Sequence, residues 1–205
     1  MSSELDFELS KHGPLVEEVR RRGFDRFLAL AKHVSQLPYG RPSNCEDFLA
    51  ILKERRGTCS FKHRLLAAVA HECGNSNVEL VVGLYAMSEQ NTPGVGVTLN
   101  RAGFDSIPEA HCYLRLAKQR YDFTGLSSGS TSPFSALLSE HVICPKRLTE
   151  KKKTLHHQAV ASWAKQSGLS FDDAWALREA CIQALASNNA LKPTGTSAGA
   201  SGPAA

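Results

Sequence analysis

The chain has 205 residues, 42% hydrophobic and 21% charged, with a formal net charge of +4. That is enough for one domain with a proper core, and too weakly basic to indicate nucleic acid by itself. No apolar run approaches the roughly 20 residues needed to span a bilayer, so no membrane association is expected. Met1 to Arg22 is charged and carries no apolar h-region, so no signal peptide is expected. Six cysteines occur at 45, 59, 73, 112, 144 and 181 with no C-x-x-C pair, which suits free thiols in a reducing cytoplasm.

In chain order, Leu15 to Val34 reads as one helix. Leu15, Val16, Val19, Phe24, Phe27, Leu28 and Ala31 roughly follow the helical period, with Gly23 weakening the middle. Leu37-Pro38-Tyr39-Gly40-Arg41-Pro42 breaks the pattern, and Ser43 or Asn44 can cap a second helix through Leu52, with Phe48, Leu49 and Leu52 inward. The clearest element follows: Thr58 as N-cap, an apolar stripe of Phe61, Leu65, Leu66, Val69 and Cys73, and Gly74 at C′. Val78 to Met87 is nearly all apolar and rich in β-branched residues, which predicts a buried strand. Gln90 to Gly96 is a loop.

His111 to Leu116 and Arg120 to Thr124 alternate and predict an antiparallel hairpin, followed by a Ser/Gly loop from Ser127 to Ser132. Leu155 to Ala186 predicts two helices separated near Gly168, the second capped by Ser170 with Asp172 and Asp173 in its first turn. From Ser187 the composition shifts to Ala, Gly, Ser, Thr and Pro, and disorder is expected. The expected architecture is one α+β domain over 1–186, with a core at about 36–145, C-terminal helices at about 155–186 and a tail at 187–205. Its centre is a nucleophile-bearing helix packed on a small antiparallel sheet.

Cys59 lies where a loop turns into the central helix. Unpaired backbone N–H groups and the helix dipole there favour thiolate over thiol. His111 and Asp122 follow in an order that suits a base and its orienting carboxylate. Direct pairing of His111 with Asp122 demands a hairpin centred between Leu116 and Ala117 with a loop over Arg115 to Lys118. A two-residue turn at Lys118-Gln119 pairs Arg115 with Asp122 instead. The Cys59 backbone N–H and the Gln36 side-chain amide are the candidate oxyanion donors.

Arg56-Gly57-Thr58-Cys59-Ser60, Lys62-His63, Pro108-Glu109-Ala110-His111 and Tyr121-Asp122-Phe123-Thr124 together resemble the transglutaminase-like cysteine enzymes over roughly residues 36 to 125. The resemblance implies a papain-like core with Cys59 as nucleophile, His111 as base and Asp122 as orienting carboxylate. It also implies acyl transfer on amide bonds of a protein or peptide substrate, with water or a small-molecule amine as acceptor and no cofactor. The alternatives are a catalytically inactive binding protein of the same fold and a Cys/His zinc-binding protein.

His63 shares a helix face with Cys59 and is a competing base, a support behind the triad, or a partly buried histidine bonded to backbone. Glu109 shares the His111 face and is expected to contact substrate or a loop. Lys62 reads as solvated, as do the runs Arg20-Arg21-Arg22 and Lys151-Lys152-Lys153, which lack the interleaved aromatics of a nucleic-acid site. Cys45, Cys73, Cys112, Cys144 and Cys181 read as structural. Cys59-x-x-x-His63 has metal-compatible spacing, but no metal is expected, because His111 and Cys112 point to opposite faces of one strand. Substrate identity and oligomeric state stay open.

Overall fold

The computed structural model describes residues 3–10, 13–125 and 132–190. Two short helices, α1 (Pro14–Arg21) and α2 (Phe27–Gln36), open it in place of the single expected helix. The chain breaks at Gly23, whose φ of 91° suits a residue without Cβ. Gly23 N–H donates to the Arg20 carbonyl at 2.8 Å and Phe24 N–H to the Val19 carbonyl at 3.1 Å, the pair of bonds that closes a helix. At the other end, Pro14 occupies the first turn, and the Leu15 and Val16 N–H groups both donate to the Glu72 carboxylate at 3.0 Å. Glu72 is the last residue of the central helix, so α1 is capped across the core and not by its own sequence.

The helix expected through Leu52 is reduced to one turn, α3 (Ala50–Lys53). The central helix, α4 (Cys59–Glu72), matches the expected element closely, with Thr58 in extended N-cap conformation and Gly74 at φ 80° closing its C-terminus. Every residue from Lys62 to Ala70 is buried, so the middle of the helix is enclosed on all sides. Its buried polar residues, Lys62, His63 and Arg64, therefore need partners. Arg64 finds the Pro145 carbonyl at 3.1 Å, the Cys45 carbonyl and the face of Phe48.

Four antiparallel strands follow: β1 (Glu79–Met87), β2 (Ile107–Leu116), β3 (Gln119–Tyr121) and β4 (Leu137–Val142), in the order β3-β2-β1-β4. A short helix, α5 (Gly96–Arg101), connects β1 to β2. Alternation divides the sheet. Leu80, Val82, Leu84, Ala110, Cys112 and Leu114 join α4 in the main core, whereas Tyr85, Met87 and Ile107 belong to a second cluster with α5 and Cys181.

Two long helices complete the fold, α6 (Leu148–Ser167) and α7 (Phe171–Ala190), with Gly168 at φ 73° between them. The Ser170 hydroxyl accepts from Asp173 N–H at 3.1 Å, the expected cap. The backbone of α7 continues past the expected start of the tail at Ser187, and residues 191–205 lie outside the described ones. So does most of the expected Ser/Gly loop, residues 126–131. Mixed helix and sheet were expected, and a small antiparallel sheet with several helices is what forms. Among the described residues no helix is long and apolar enough to cross a membrane.

Candidate functional site

The hairpin register differs from both expected alternatives. Arg115 pairs with Arg120 and Leu116 with Gln119, so the turn is the two-residue pair Ala117-Lys118, with φ values of 47° and 67°. Both residues adopt the left-handed conformation of a tight hairpin turn, without the Asn or Gly that usually signals one. His111 therefore does not face Asp122 across the strands. β3 ends at Tyr121, and Asp122 is the first residue to leave the sheet. Freed there, its carboxylate reaches along the same face, and His111 Nε2–H donates to Asp122 Oδ2 at 2.7 Å.

β3 covers only Leu114 to Leu116, so at residues 111 and 112 the outer edge of β2 is not covered by β3. The first turn of α4 approaches there. Cys59, 5% exposed, interacts with His111 and with Cys112, although these neighbours point to opposite faces of the strand. The Cys59 thiol is held well below its ordinary range. A hydrogen bond from the Cys112 thiol is the largest cause, and Lys152 and His111 add to it against the cost of burial. Burial also pulls His111 down, but the Cys59 and Asp122 charges outweigh it and push the imidazole up to about 10. Asp122 is held well below the carboxylate range, mainly by His111, against its own burial. All three directions favour a thiolate–imidazolium pair with a charged carboxylate behind it. Tyr113 lies beside His111, with ring centroids 6.3 Å apart, and crosses Gly83 so closely that a Cβ there would sit 2.8 Å from its ring.

Two residues of α4 hold the Asp122 segment to the helix that carries Cys59. His63, fully buried, donates from Nδ1–H to the Cys59 carbonyl at 2.9 Å and accepts at Nε2 from Phe123 N–H at 2.7 Å. Both ring nitrogens are thus taken by backbone, the ring is neutral, and burial lowers its pKa. That agrees with a histidine bonded to backbone and leaves no nitrogen for a metal. Lys62 corrects the sequence reading: it is not solvated but fully buried. Its ammonium donates to the carbonyls of Ser35, Leu37 and Thr124 at 3.2, 2.6 and 2.7 Å, and burial lowers its pKa to about 8. The Asp122 Oδ1 atom accepts from Thr124 N–H at 2.8 Å, which closes the strap.

Glu109 does not open to solvent or to a loop. It is buried, with Oε2 accepting from Arg178 Nε of α7 at 2.6 Å and Oε1 from Ala110 N–H at 2.8 Å. Gln36, the expected oxyanion donor, is exposed as the last residue of α2. The side chain from this region that senses the sulfur is Tyr39, itself 49% exposed, whose hydroxyl pKa is raised well above its usual value first by the Cys59 charge. Two carbonyl-bonded anchors hold that region in place: Lys62 on Leu37, and Gly57 N–H on the Pro38 carbonyl at 3.0 Å.

Lys152 was read as part of a solvated basic run. Instead it is half-buried, with Nζ 3.0 Å from Ser60 Oγ and 3.8 Å from Cys59 Sγ. The signal was present: Leu148, Lys152, His156, Val160 and Ala164 recur every four residues on one helix face, and the other four are buried. Cys112, read as structural, is buried but also lies 3.4 Å from Ser60 Oγ and beside the sulfur of Cys59. Among the described residues no group of three or more His, Cys, Asp or Glu side chains is arranged to hold a metal ion. Comparisons with protein-family models, curated proteins and solved structures find no match to this chain.

Proposed function

We propose that the chain is a cysteine-nucleophile enzyme with a papain-like, transglutaminase-like core, which transfers acyl groups from amide bonds through a thioester. The observation that carries the reading is the convergence of Cys59, His111 and Asp122 from the start of a helix, a strand and a strand end. The sequence resemblance of Arg56 to Ser60, His111 and Asp122-Phe123-Thr124 supports it independently.

The Cys59 thiolate attacks the carbonyl carbon, and the carbonyl π pair moves to oxygen, where the Cys59 backbone N–H at the helix start donates to it. Because His111 Nε2 is held by Asp122, Nδ1 is the nitrogen free to deliver its proton to the leaving amine. Collapse leaves the acyl group on sulfur. Water or a primary amine then gives a proton to His111, attacks the thioester and releases the thiolate. Peptidase, deamidase and amine acyltransferase outcomes all share these steps, on a protein or peptide substrate.

The test uses p-nitrophenyl acetate and intact-mass measurement. An acetyl adduct on Cys59 is expected, with a burst of p-nitrophenol that Cys59→Ser abolishes and His111→Ala slows by about 10²–10⁴-fold, the usual worth of a positioned base. Absence of adduct in the folded wild-type chain would instead favour a binding protein that keeps the fold without the chemistry.

A further inference from the structure

We propose that Lys152 is a catalytic residue of this site, the cation that receives the oxyanion when charge moves from the Cys59 sulfur to the substrate carbonyl oxygen. The inference rests on the acyl-transfer reading and adds to it a group from α6, outside the segment that carries the sequence resemblance.

The first argument is placement. One turn before Lys152, Leu148 is buried in the main core; one turn after it, His156 donates to the Pro108 carbonyl of β2 at 3.1 Å. The helix is therefore fixed to the sheet on both sides of the lysine. Its Nζ is aimed at the first turn of α4, donating to Ser60 Oγ at 3.0 Å and lying 3.8 Å from Cys59 Sγ. A lysine carries three donors on a flexible stem, so it can keep the Ser60 bond and still shift toward an oxygen beside the sulfur.

The second argument follows the charge through the reaction. The groups that face the ammonium are Cys59 and Ser60 from α4, Cys112 and Glu109 from β2, and Arg178 from α7. Glu109 is already committed, its two oxygens taken by Arg178 at 2.6 Å and Ala110 N–H at 2.8 Å. Cys112 keeps its proton, because its hydrogen bond to Cys59 and its burial both raise its pKa. The counter-charge of Lys152 is therefore Cys59, 3.8 Å away, whose charge raises the lysine's pKa against the cost of burial. As the S–C bond forms, that negative charge leaves sulfur and appears on the adjacent oxygen. A half-buried ammonium that has lost its partner binds the new anion more strongly than water would, and does so only while the oxygen is charged. Gln36, exposed at the end of α2, is not needed for that task.

Two probes separate this role from simple stabilisation of the thiolate. Alkylation of Cys59 by iodoacetamide passes through no oxyanion, whereas acylation by p-nitrophenyl acetate does. Both rates are measured on Lys152→Gln, Lys152→Met and Lys152→Arg at a pH where wild-type alkylation has levelled off. Loss of an oxyanion donor slows acylation by about 10²–10³-fold. The two neutral variants should show that loss while alkylation changes less than about fivefold, and Lys152→Arg, which keeps the charge, should regain most of it. Circular dichroism identifies any variant that does not fold, and the other neutral variant then decides. Equal losses with both probes would mean that Lys152 only holds the thiolate, and would overturn the proposal. So would a neutral variant that acylates like wild type. A wild-type chain without a p-nitrophenol burst refutes the acyl-transfer reading and this inference together; a wild-type burst that the neutral variants reproduce refutes the Lys152 role alone.

Discussion

Replacing His63 with leucine removes the ring that bonds the nucleophile's helix to the carboxylate segment while keeping most of its apolar volume. Two hydrogen bonds disappear, to the Cys59 carbonyl and from Phe123 N–H. The Cys59 carbonyl still serves as an acceptor within α4, but Phe123 N–H, on a residue only 6% exposed, loses its acceptor. Two lost bonds at about 1 kcal/mol each, with up to 1–2 kcal/mol more for an unpaired buried donor, give a destabilisation of about 2–4 kcal/mol. For a chain of this size that corresponds to a drop of roughly 5–15 °C in Tm. Urea denaturation followed by circular dichroism measures it directly. The functional expectation is different in kind: because neither His63 nitrogen is free to take the thiol proton, Cys59 should remain a thiolate at neutral pH in the folded variant. Iodoacetamide labelling checks this. A stability loss below about 0.5 kcal/mol, within the range of an ordinary surface substitution, would refute the strap. Loss of the thiolate on the scale expected for His111→Ala would refute the assignment of His63 as a positioning group.

Other perturbations test separate parts of the account. Glu109→Gln removes the buried carboxylate from the Arg178 guanidinium, which keeps only the more exposed Glu179 at 2.7 Å; losing that charged hydrogen bond should cost about 1.5–3 kcal/mol in urea denaturation, and a loss under about 0.5 kcal/mol would contradict the pairing. The left-handed conformations at Ala117 and Lys118 cost about 1–2 kcal/mol per residue, so Ala117→Asn with Lys118→Gly should raise stability by a similar amount, and an unchanged urea midpoint would argue against the turn. The Cys59–His111 pair also sets a pH profile. Against unfolded values of about 6.5 for His and 8.5 for Cys, the unfolded chain binds one more proton than the folded pair at low pH, the same number between those values, and one fewer above them. Its contribution to stability therefore rises with pH up to about 6.5, stays level to about 8.5, and is lost as pH climbs through the His111 value of about 10. Urea midpoints across that range should show the upper decline in wild type and lack it in His111→Ala.

The elements that signal their own ends were legible in the sequence. Thr58 and Gly74 bracket α4, and Gly168 with Ser170 separates α6 from α7, because caps are local chemistry. The break between α1 and α2 was not, since the apolar period continues through Gly23 and masks the local helix-closing bonds made there. Hairpin register was equally hidden: Ala117-Lys118 carries none of the residues that favour positive φ, and parity alone leaves several registers equivalent. The three residues of the site could be named from order and spacing, but not the way they meet, which depends on Asp122 leaving the sheet. Lys62 and Lys152 were misread for a shared reason. A charged residue on a buried face is ordinarily solvated, and what overrides that here is a set of partners far away in sequence, three backbone carbonyls for one and a thiolate for the other.

The most direct test of the central claim is the pH dependence of iodoacetamide labelling at Cys59, followed by peptide mass spectrometry so that the other five cysteines do not contribute. In wild type the Cys59 rate should already have levelled off at neutral pH, and His111→Ala should return its midpoint toward the ordinary thiol value of about 8.5. A wild-type midpoint near that ordinary value, unmoved by His111→Ala, would contradict the account.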